Sequence, residues 1–255
     1  MTVDKQQAYD NFQQEAARHL AMPGWSEPQR LALACRMLAR EGHAQTLAGQ
    51  VTAKADDDGV VWTPPLGLGL DEVTPPALIQ VDADLKRLRG TGMANPAVRF
   101  HWWVYRARPR VRCIVHTHPP FVSALSMLGV PLKVAHMDAA MFYDDCAYLA
   151  QWPGVPVADD EGELIAGALG DKRSILLAHH GLLCTGQTIQ EATYLALNLE
   201  WAARVQLRAM AAGTIQTVEP AHARDAREFL LRPEIVDASF HREARRVLAA
   251  DPSIL

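Results

Sequence analysis

The sequence predicts an α/β domain built on a central mixed or antiparallel sheet that is layered by helices. The first observation is the order of its elements: helices come first, then a hairpin, and then strand-like and helical segments in alternation. The second is that the strand candidates are short apolar runs bounded by turn residues, whereas the helix candidates carry capping signals. With 255 residues, 49% of them hydrophobic, the chain can bury one sizeable core without disulfides.

The first half of the chain begins with a helix over Ser26–Arg40. Its first residue and Gln29 form a capping-box pattern, and a glycine follows the last turn. A hairpin comes next, with strands at Gln50–Ala55 and Val60–Thr63 joined by an Asp-Asp-Asp-Gly turn. Residues 77–81 are expected to form a short strand.

Asn95 and Pro96 predict the start of a second strong helix, with Asn as the N-cap, running to about Arg106. The remaining predicted elements are a strand over Val111–His118, a strand over Ser174–Ala178, a helix from Thr188 to Gly213 and a helix over 233–250. The chain therefore divides into an N-terminal extension (1–25), one domain (26–213) and a helical C-terminal tail (214–255). The tail could pack on its own chain or on a neighbouring subunit.

Composition excludes several classes of protein. The net charge is −4 and no basic block stands out, which argues against a nucleic-acid partner. No segment approaches the ~20 apolar residues of a membrane span, and the N-terminus lacks the apolar region of a secretory signal. Four scattered cysteines without a C-x-x-C pair indicate reduced thiols. We therefore expect a cytoplasmic protein without nucleic-acid or membrane partners.

Three histidines form the strongest candidate for a chemical site. Side chains alternate along a strand, so His116 and His118 should point the same way, about 6.6 Å apart at ~3.3 Å per residue. His180 follows a second apolar run, at the point where a buried strand meets a turn. Three imidazoles with an open fourth position are typical of a catalytic metal site. For His179 a buried or hydrogen-bonded structural role is the better interpretation.

These motifs resemble the class II aldolase/adducin family over about residues 28–212. The resemblance rests on the segments His116–Pro119, Leu176–Leu183, Gly186–Glu191, Leu47–Thr52, Asp58–Pro65 and Asn95–Ala97. It implies a three-layer α/β/α sandwich with a mostly antiparallel sheet, and a homotetramer with active sites between adjacent subunits. It also implies one divalent ion per subunit, Mn²⁺ or Zn²⁺ with Fe²⁺ as an alternative, held by His116, His118 and His180.

The chain departs from the sugar-phosphate aldolases of this family. Their Pro-Ser-Ser-Glu segment supplies a base, and here the place of its glutamate falls on Ala97. Their Gly-Asn-x-Ser phosphate loop reads Gly-Gln-Val-Thr at 49–52, and their proton-donor tyrosine would fall near Met137. A phosphorylated substrate is therefore not expected. A Lewis acid without a general base favours decarboxylation, which needs no proton abstraction from carbon.

The expected function is thus a metal-dependent carbon–carbon lyase, a decarboxylase of a non-phosphorylated hydroxy-aromatic, heteroaromatic or keto carboxylic acid. The Asn-Pro-Ala version of the family is similar to a decarboxylase of a hydroxylated pyridine dicarboxylate. Arg99 could clamp a substrate carboxylate, and His136 and Tyr143 are the nearest candidate proton donors. Asp144 and Asp145 are expected on an exposed turn.

Three other functions remain open at this point. A retro-aldolase of pyruvate-type adducts could use a metal-bound water or His136 as its base. Iron-dependent oxidation is another, because three histidines with open positions also suit Fe²⁺. A non-enzymatic interaction module is the third, since adducin heads share this fold. His101, inside the helix after Arg99, is expected to serve packing.

Overall fold

A computed structural model describes residues 4–20, 23–155 and 158–255, so the predicted extension 1–25 falls partly outside the described residues. Eight strands form one sheet in the order β4-β3-β2-β1-β5-β8-β7-β6. They are β1 (Gln50–Lys54), β2 (Val61–Thr63), β3 (Ile79–Val81), β4 (Arg87–Arg89), β5 (Cys113–Thr117), β6 (Cys146–Leu149), β7 (Ser174–Leu177) and β8 (Leu182–Gly186). All neighbours are antiparallel except β6 and β7. The expected mostly antiparallel sheet is confirmed.

Helices cover both faces of this sheet. They are α1 (Lys5–His19), α2 (Glu27–Arg40), α3 (Val98–Ala107), α4 (Pro120–Met127), α5 (Asp159–Leu169), α6 (Ile189–Ala212), α7 (Pro220–Leu230) and α8 (Pro233–Ala250). One core joins buried residues of α2, α6 and α8 to one sheet face, and a second joins α3 and α5 to the other. The expected three-layer α/β/α sandwich is confirmed.

Local capping signals fix several helix starts. Ser26 Oγ accepts from Gln29 N, and the Gln29 side chain accepts from Ser26 N, so the predicted capping box of α2 is present. The predicted start of α3 is wrong by two residues. Asn95 Oδ1 accepts from Ala97 N, which makes a turn over 95–97, and the helix begins after it.

The terminal helices pack on the same chain. α8 contributes Val236, Phe240, Ala244 and Val247 to the core that it shares with α2 and α6. The ring of Phe229 on α7 lies 5.6 Å from the rings of Tyr9 and Phe12 on α1. The helices of the described ranges include none with the length and apolar character of a membrane span.

Candidate metal centre

Strand pairing brings three histidines to one end of the sheet. β5 and β8 run antiparallel with Thr117 opposite Leu182, so the end of β5 lies beside the start of β8. His116 is in β5, and His118 follows its last residue. His180 lies in the tight turn between β7 and β8, which is closed by a hydrogen bond from Leu177 N to the Gly181 carbonyl.

The three imidazoles converge. One nitrogen from each of His116, His118 and His180 lies within 4.8 Å of the other two. The Nε2 atoms of His116 and His118 are 3.0 Å apart. Two nitrogens bound to one ion at 2.0–2.1 Å in tetrahedral geometry would be about 3.3 Å apart. The spacing therefore suits a shared ion after a small adjustment.

The buried ring of His116 is held in one tautomer. Its Nδ1 lies 2.8 Å from the Leu182 carbonyl, and because that oxygen can only accept, Nδ1 carries the proton. Nε2 is then the unprotonated nitrogen, and it faces His118. A ligand histidine that donates its other N–H to a backbone carbonyl is the usual arrangement in protein metal sites. The donor set therefore fits a divalent ion such as Zn²⁺, Mn²⁺ or Fe²⁺.

Burial keeps the three rings neutral near pH 7. It lowers the pKa of His116 well below its ordinary value, and the nearby His180 and His118 lower it further. Burial also lowers the pKa of His118. Burial first, and the neighbouring His118 second, lower the pKa of His180 to about 4. Metal ions bind the neutral imidazole, so protons compete weakly for this site at neutral pH.

Gly181 has no side chain, and the His118 ring occupies part of the space that a side chain there would fill. A Cβ at this position would lie 2.4 Å from the Thr117 carbonyl oxygen and 2.6 Å from Cδ2 of His118. Both distances are far below van der Waals contact, so any side chain here must displace either the end of β5 or the imidazole. The glycine is therefore part of the geometry of the site.

We expect Gly181→Ala to weaken metal binding by about 10–100-fold, the range found when a group that orients a ligand is lost. The clash should also cost about 1–3 kcal/mol of unfolding free energy. Calorimetric titration with Zn²⁺ and urea unfolding measure the two effects. Gly167→Ala on α5 is the matched control, because a Cβ there meets nothing within 4 Å. Unchanged Zn²⁺ affinity in Gly181→Ala would contradict this account of the turn.

Two further buried histidines, His43 and His101, lie next to the residues of the triad. His43 Nδ1 lies 2.8 Å from Thr117 Oγ1. His101 Nδ1 lies 2.9 Å from Thr52 Oγ1, and its ring centroid is 6.5 Å from that of His116. Burial lowers the pKa of both His43 and His101 to about 3. The packing role expected for His101 agrees with its place in this buried network.

A small cavity lies next to the start of β1. Gln50 is paired with His116 across the strands, so both side chains lie on the same sheet face. Gln50 Oε1 and His43 Nε2 are buried without a hydrogen-bond partner, and both residues line a cavity of about 20 Å³. This volume admits one water or one small polar group. Sequence reasoning noted Gln50 only as a departure from a phosphate loop, and it missed His43.

The three predicted helper residues lie on segments other than those that carry the triad. Arg99 is half-buried near the start of α3. His136 Nε2 is buried without a partner, and Tyr143 lies with its ring 5.9 Å from the Arg224 guanidinium on α7. Among the residues that the structure describes, no hydrogen bond joins any of the three to the histidine cluster. Their roles stay predictions.

Two expectations about neighbouring residues are wrong. His179 is exposed rather than buried, because a left-handed φ of +57° turns it away from the strand that it follows. Asp144 is exposed as expected, but Asp145 is 4% exposed rather than on an open turn. Its carboxylate pairs with Arg173 at 2.5 Å and with Arg227 at 3.3 Å. It precedes β6 at the end of the sheet opposite the histidines, since Cys146 pairs with Ser174 and Ser174 with Cys184.

Larger cavities lie away from the histidines. One of about 610 Å³ is lined by Arg108, Asp145 and Arg173, and one of about 330 Å³ by Phe121, Glu200 and Trp201 among others. In the 610 Å³ cavity, the Arg173 guanidinium already pairs with the carboxylates of Asp145 and Glu191. The histidine cluster is therefore the strongest candidate for chemistry in the described part of the chain.

Comparison with known proteins gives one consistent result. The profile of the Class II Aldolase and Adducin N-terminal domain matches residues 29–207. The chain is 34% identical over 199 residues to the decarboxylase NovR of Streptomyces niveus, covering 76% of this chain and 74% of that one. It is equally identical, over 199 residues, to 4-hydroxy-3-prenylphenylpyruvate oxygenase/4-hydroxy-3-prenylbenzoate synthase of Streptomyces roseochromogenus subsp. oscitans, covering 76% and 72%.

A solved structure agrees with these relatives. L-fuculose 1-phosphate aldolase from Glaciozyma antarctica PI12 superposes with a TM-score of 0.84 at 28% identity, over 94% of this chain and 98% of that one. This chain therefore shares its architecture with a protein named as an aldolase, whereas two of its sequence relatives are named as a decarboxylase and an oxygenase/synthase.

Proposed function

The chain belongs to the class II aldolase and adducin N-terminal domain family, and from that membership we propose that it is a metal-dependent carbon–carbon lyase. We propose further that it decarboxylates a non-phosphorylated hydroxy-aromatic, heteroaromatic or keto carboxylic acid. The observation that carries the proposal is the convergence of His116, His118 and His180 within 4.8 Å of one another, with no carboxylate completing the cluster in the described ranges.

A divalent ion at the triad would supply a Lewis acid that stabilises negative charge on a substrate oxygen. The chain itself provides the neutral ring nitrogens and a mostly buried environment. Ala97, in the place of the aldolase glutamate, offers no base. A reaction that removes carbon dioxide needs no base at carbon, which is why this residue favours decarboxylation over aldol cleavage.

We assign the remaining roles to residues outside the triad. Arg99 would bind a second substrate carboxylate through its guanidinium. His136 or Tyr143 would return the proton to the carbon that loses carbon dioxide. Gln50, with its unpartnered Oε1 on the same sheet face as His116, would orient a polar substituent of the substrate. The 34% identity to a protein named as a decarboxylase supports the reaction type.

A carbon dioxide assay tests the proposal. The purified protein is supplied with Mn²⁺, Zn²⁺ or Fe²⁺ and with a panel of hydroxylated aromatic, pyridine and 2-keto acids. We expect carbon dioxide release that depends on the metal and is lost both after chelation and in His180→Ala. Failure of every acid to release carbon dioxide with every metal would contradict the proposal.

Iron-dependent oxidation is the second candidate, and one specific observation favours it. A relative with the same 34% identity as the decarboxylase carries the word oxygenase in its name. Three histidines with open positions also suit Fe²⁺. Oxygen consumption with Fe²⁺ and a hydroxyphenylpyruvate-type acid would separate it from decarboxylation. Retro-aldol cleavage is separated by deuterium exchange into the methyl group of pyruvate, which requires a base that decarboxylation does not.

We also propose a homotetramer with its sites at subunit interfaces, acting on a small carboxylic acid. Two apolar residues that line the small cavity are exposed, Leu47 at 56% and Leu66 at 41%. Met93, whose carbonyl accepts a hydrogen bond from Leu66 N, is 58% exposed. Such a group of exposed side chains is typical of an interaction surface. Light scattering that gives the mass of a monomer at all concentrations would contradict the tetramer.

A further inference from the structure

Glu200 is a carboxylate buried in the helical layer next to α4. It is 7% exposed, and on α6 it lies between buried neighbours such as Ala196 and Ala203. Glutamate is rarely buried to this degree unless its oxygens are paired. Burial raises the pKa of Glu200, and hydrogen bonds from two backbone N–H groups act against that shift.

Both oxygens of Glu200 bind the start of α4. Oε1 accepts from Phe121 N at 2.9 Å, and Oε2 accepts from Val122 N at 2.7 Å. α4 has no cap of its own, because its N-cap residue is Pro119 and its first residue is Pro120. Neither proline has an N–H, so Phe121 and Val122 carry the first free donors of this helix. Glu200 caps α4 from a different helix.

α4 adjoins both segments that carry His118 and His180. At its N-terminus it begins two residues after His118. Near its C-terminus the Ser126 carbonyl accepts a hydrogen bond of 3.3 Å from His179 N, the residue before His180. The position of α4 therefore influences both His118 and His180, whose ring centroids are 4.5 Å apart.

We propose that Glu200 is a positioning residue that anchors α4 and thereby sets the separation of His118 and His180. The proposal rests on the proposed function in one respect, that the triad binds a metal ion. Glu200 acts through α4 and the two histidine-bearing segments, without touching the ion or the substrate. A glutamate that only stabilised the fold would affect unfolding and leave the geometry of the metal site unchanged.

The test uses Glu200→Gln, which keeps the shape of the side chain. Its carbonyl can accept from one of the two N–H groups, while its NH₂ meets the other donor without a hydrogen bond. Glu191→Gln is the matched control. Glu191 lies on the same helix and also accepts from a backbone N–H, that of Gln187 at 2.7 Å, but it pairs with Arg173 at the opposite end of the sheet.

Co²⁺ is the probe, because its visible absorption reports ligand geometry and its titration gives affinity. We expect Glu200→Gln to bind Co²⁺ about 10–100-fold more weakly than the natural sequence, with a changed absorption spectrum. Glu191→Gln should lose stability in urea yet keep the Co²⁺ affinity and spectrum. Glu200→Asp, which retains the charge and both acceptor oxygens on a shorter side chain, should fall between the natural sequence and Glu200→Gln.

Several outcomes would overturn the proposal. Co²⁺ affinity within twofold of the natural sequence in Glu200→Gln, or equal weakening in Glu191→Gln, would reduce Glu200 to a structural role. If Glu200→Gln does not fold, Glu200→Asp decides by the same comparison with Glu191→Gln. Absence of Co²⁺ binding by the natural sequence would instead refute the metal site itself, and the proposed function with it.

Discussion

We expect replacement of His116 by alanine to abolish metal binding at the triad and, with it, the proposed lyase activity. His116 is the most buried of the three histidines, at 2% exposed, and its Nδ1 is held by the Leu182 carbonyl. Loss of a group that merely orients a ligand weakens metal binding about 10–100-fold. Loss of a ligand should therefore weaken it by more than about 100-fold. Elemental analysis after dialysis and a Zn²⁺ competition titration measure the change.

His222→Ala is the control for this substitution. The His222 side chain is 82% exposed on α7, so its removal should leave the metal content and the affinity unchanged. Equal metal content in His116→Ala and the natural sequence would show that the ion binds elsewhere.

Acid is expected to destabilise the protein at pH values where most folded proteins are still stable. His43 and His101 have a pKa of about 3 in the fold because both are buried, against about 6.5 when unfolded. The unfolded chain therefore binds more protons than the folded one between pH 6.5 and about 3. Stability contributed by the neutral rings is complete above pH 6.5 and falls as the pH drops through this window. Each histidine should remove about 2 kcal/mol between pH 8 and pH 5.

Urea unfolding at a series of pH values measures this loss. Glutamine in place of His101 can still form a hydrogen bond with Thr52 but does not titrate. The slope of the unfolding free energy against pH should therefore decrease by the contribution of one histidine. The matched replacement His222→Gln, at the exposed position on α7, should leave the slope unchanged. If His101→Gln and the natural sequence showed the same slope of unfolding free energy against pH, the loss of stability in acid would have another cause.

Local signals predicted several element boundaries, although the capping signal at Asn95 placed the start of α3 two residues too early. The capping box at Ser26 and the hairpin turn before Val61 depend on side chains next to each other in the chain, and both are as predicted. β8 carried no such signal. Its five residues are buried on both faces and pair with β5 and β7, so they show no alternation of polar and apolar residues. Its place depends on contacts between distant segments.

The histidine cluster was predictable in its members but not in its details. Alternation along β5 gives His116 and His118, and the turn after an apolar run gives His180. The orientation of the rings depends on the Leu182 carbonyl and on the missing side chain of Gly181. Neither contact can be read from the sequence, because both arise only when β5 and β8 pair.

Glu200 carried a signal in the sequence. It falls on the buried face of α6, four residues after Ala196 and three before Ala203. A charged residue on an apolar helix face indicates a specific partner. The identity of that partner, the N-terminus of α4, could not be predicted because Phe121 and Glu200 are 79 residues apart. His43 and Gln50 carried no comparable signal.

The proposed function requires that His116, His118 and His180 hold one divalent ion through their ring nitrogens. A crystal of the protein soaked in Zn²⁺, with diffraction recorded on both sides of the zinc absorption edge, tests it most directly. We expect one strong anomalous peak per chain about 2.0–2.1 Å from a nitrogen of each ring, with at least one further position open to water or substrate. An anomalous map with no peak among these three rings, or with its peak at other residues, would contradict it.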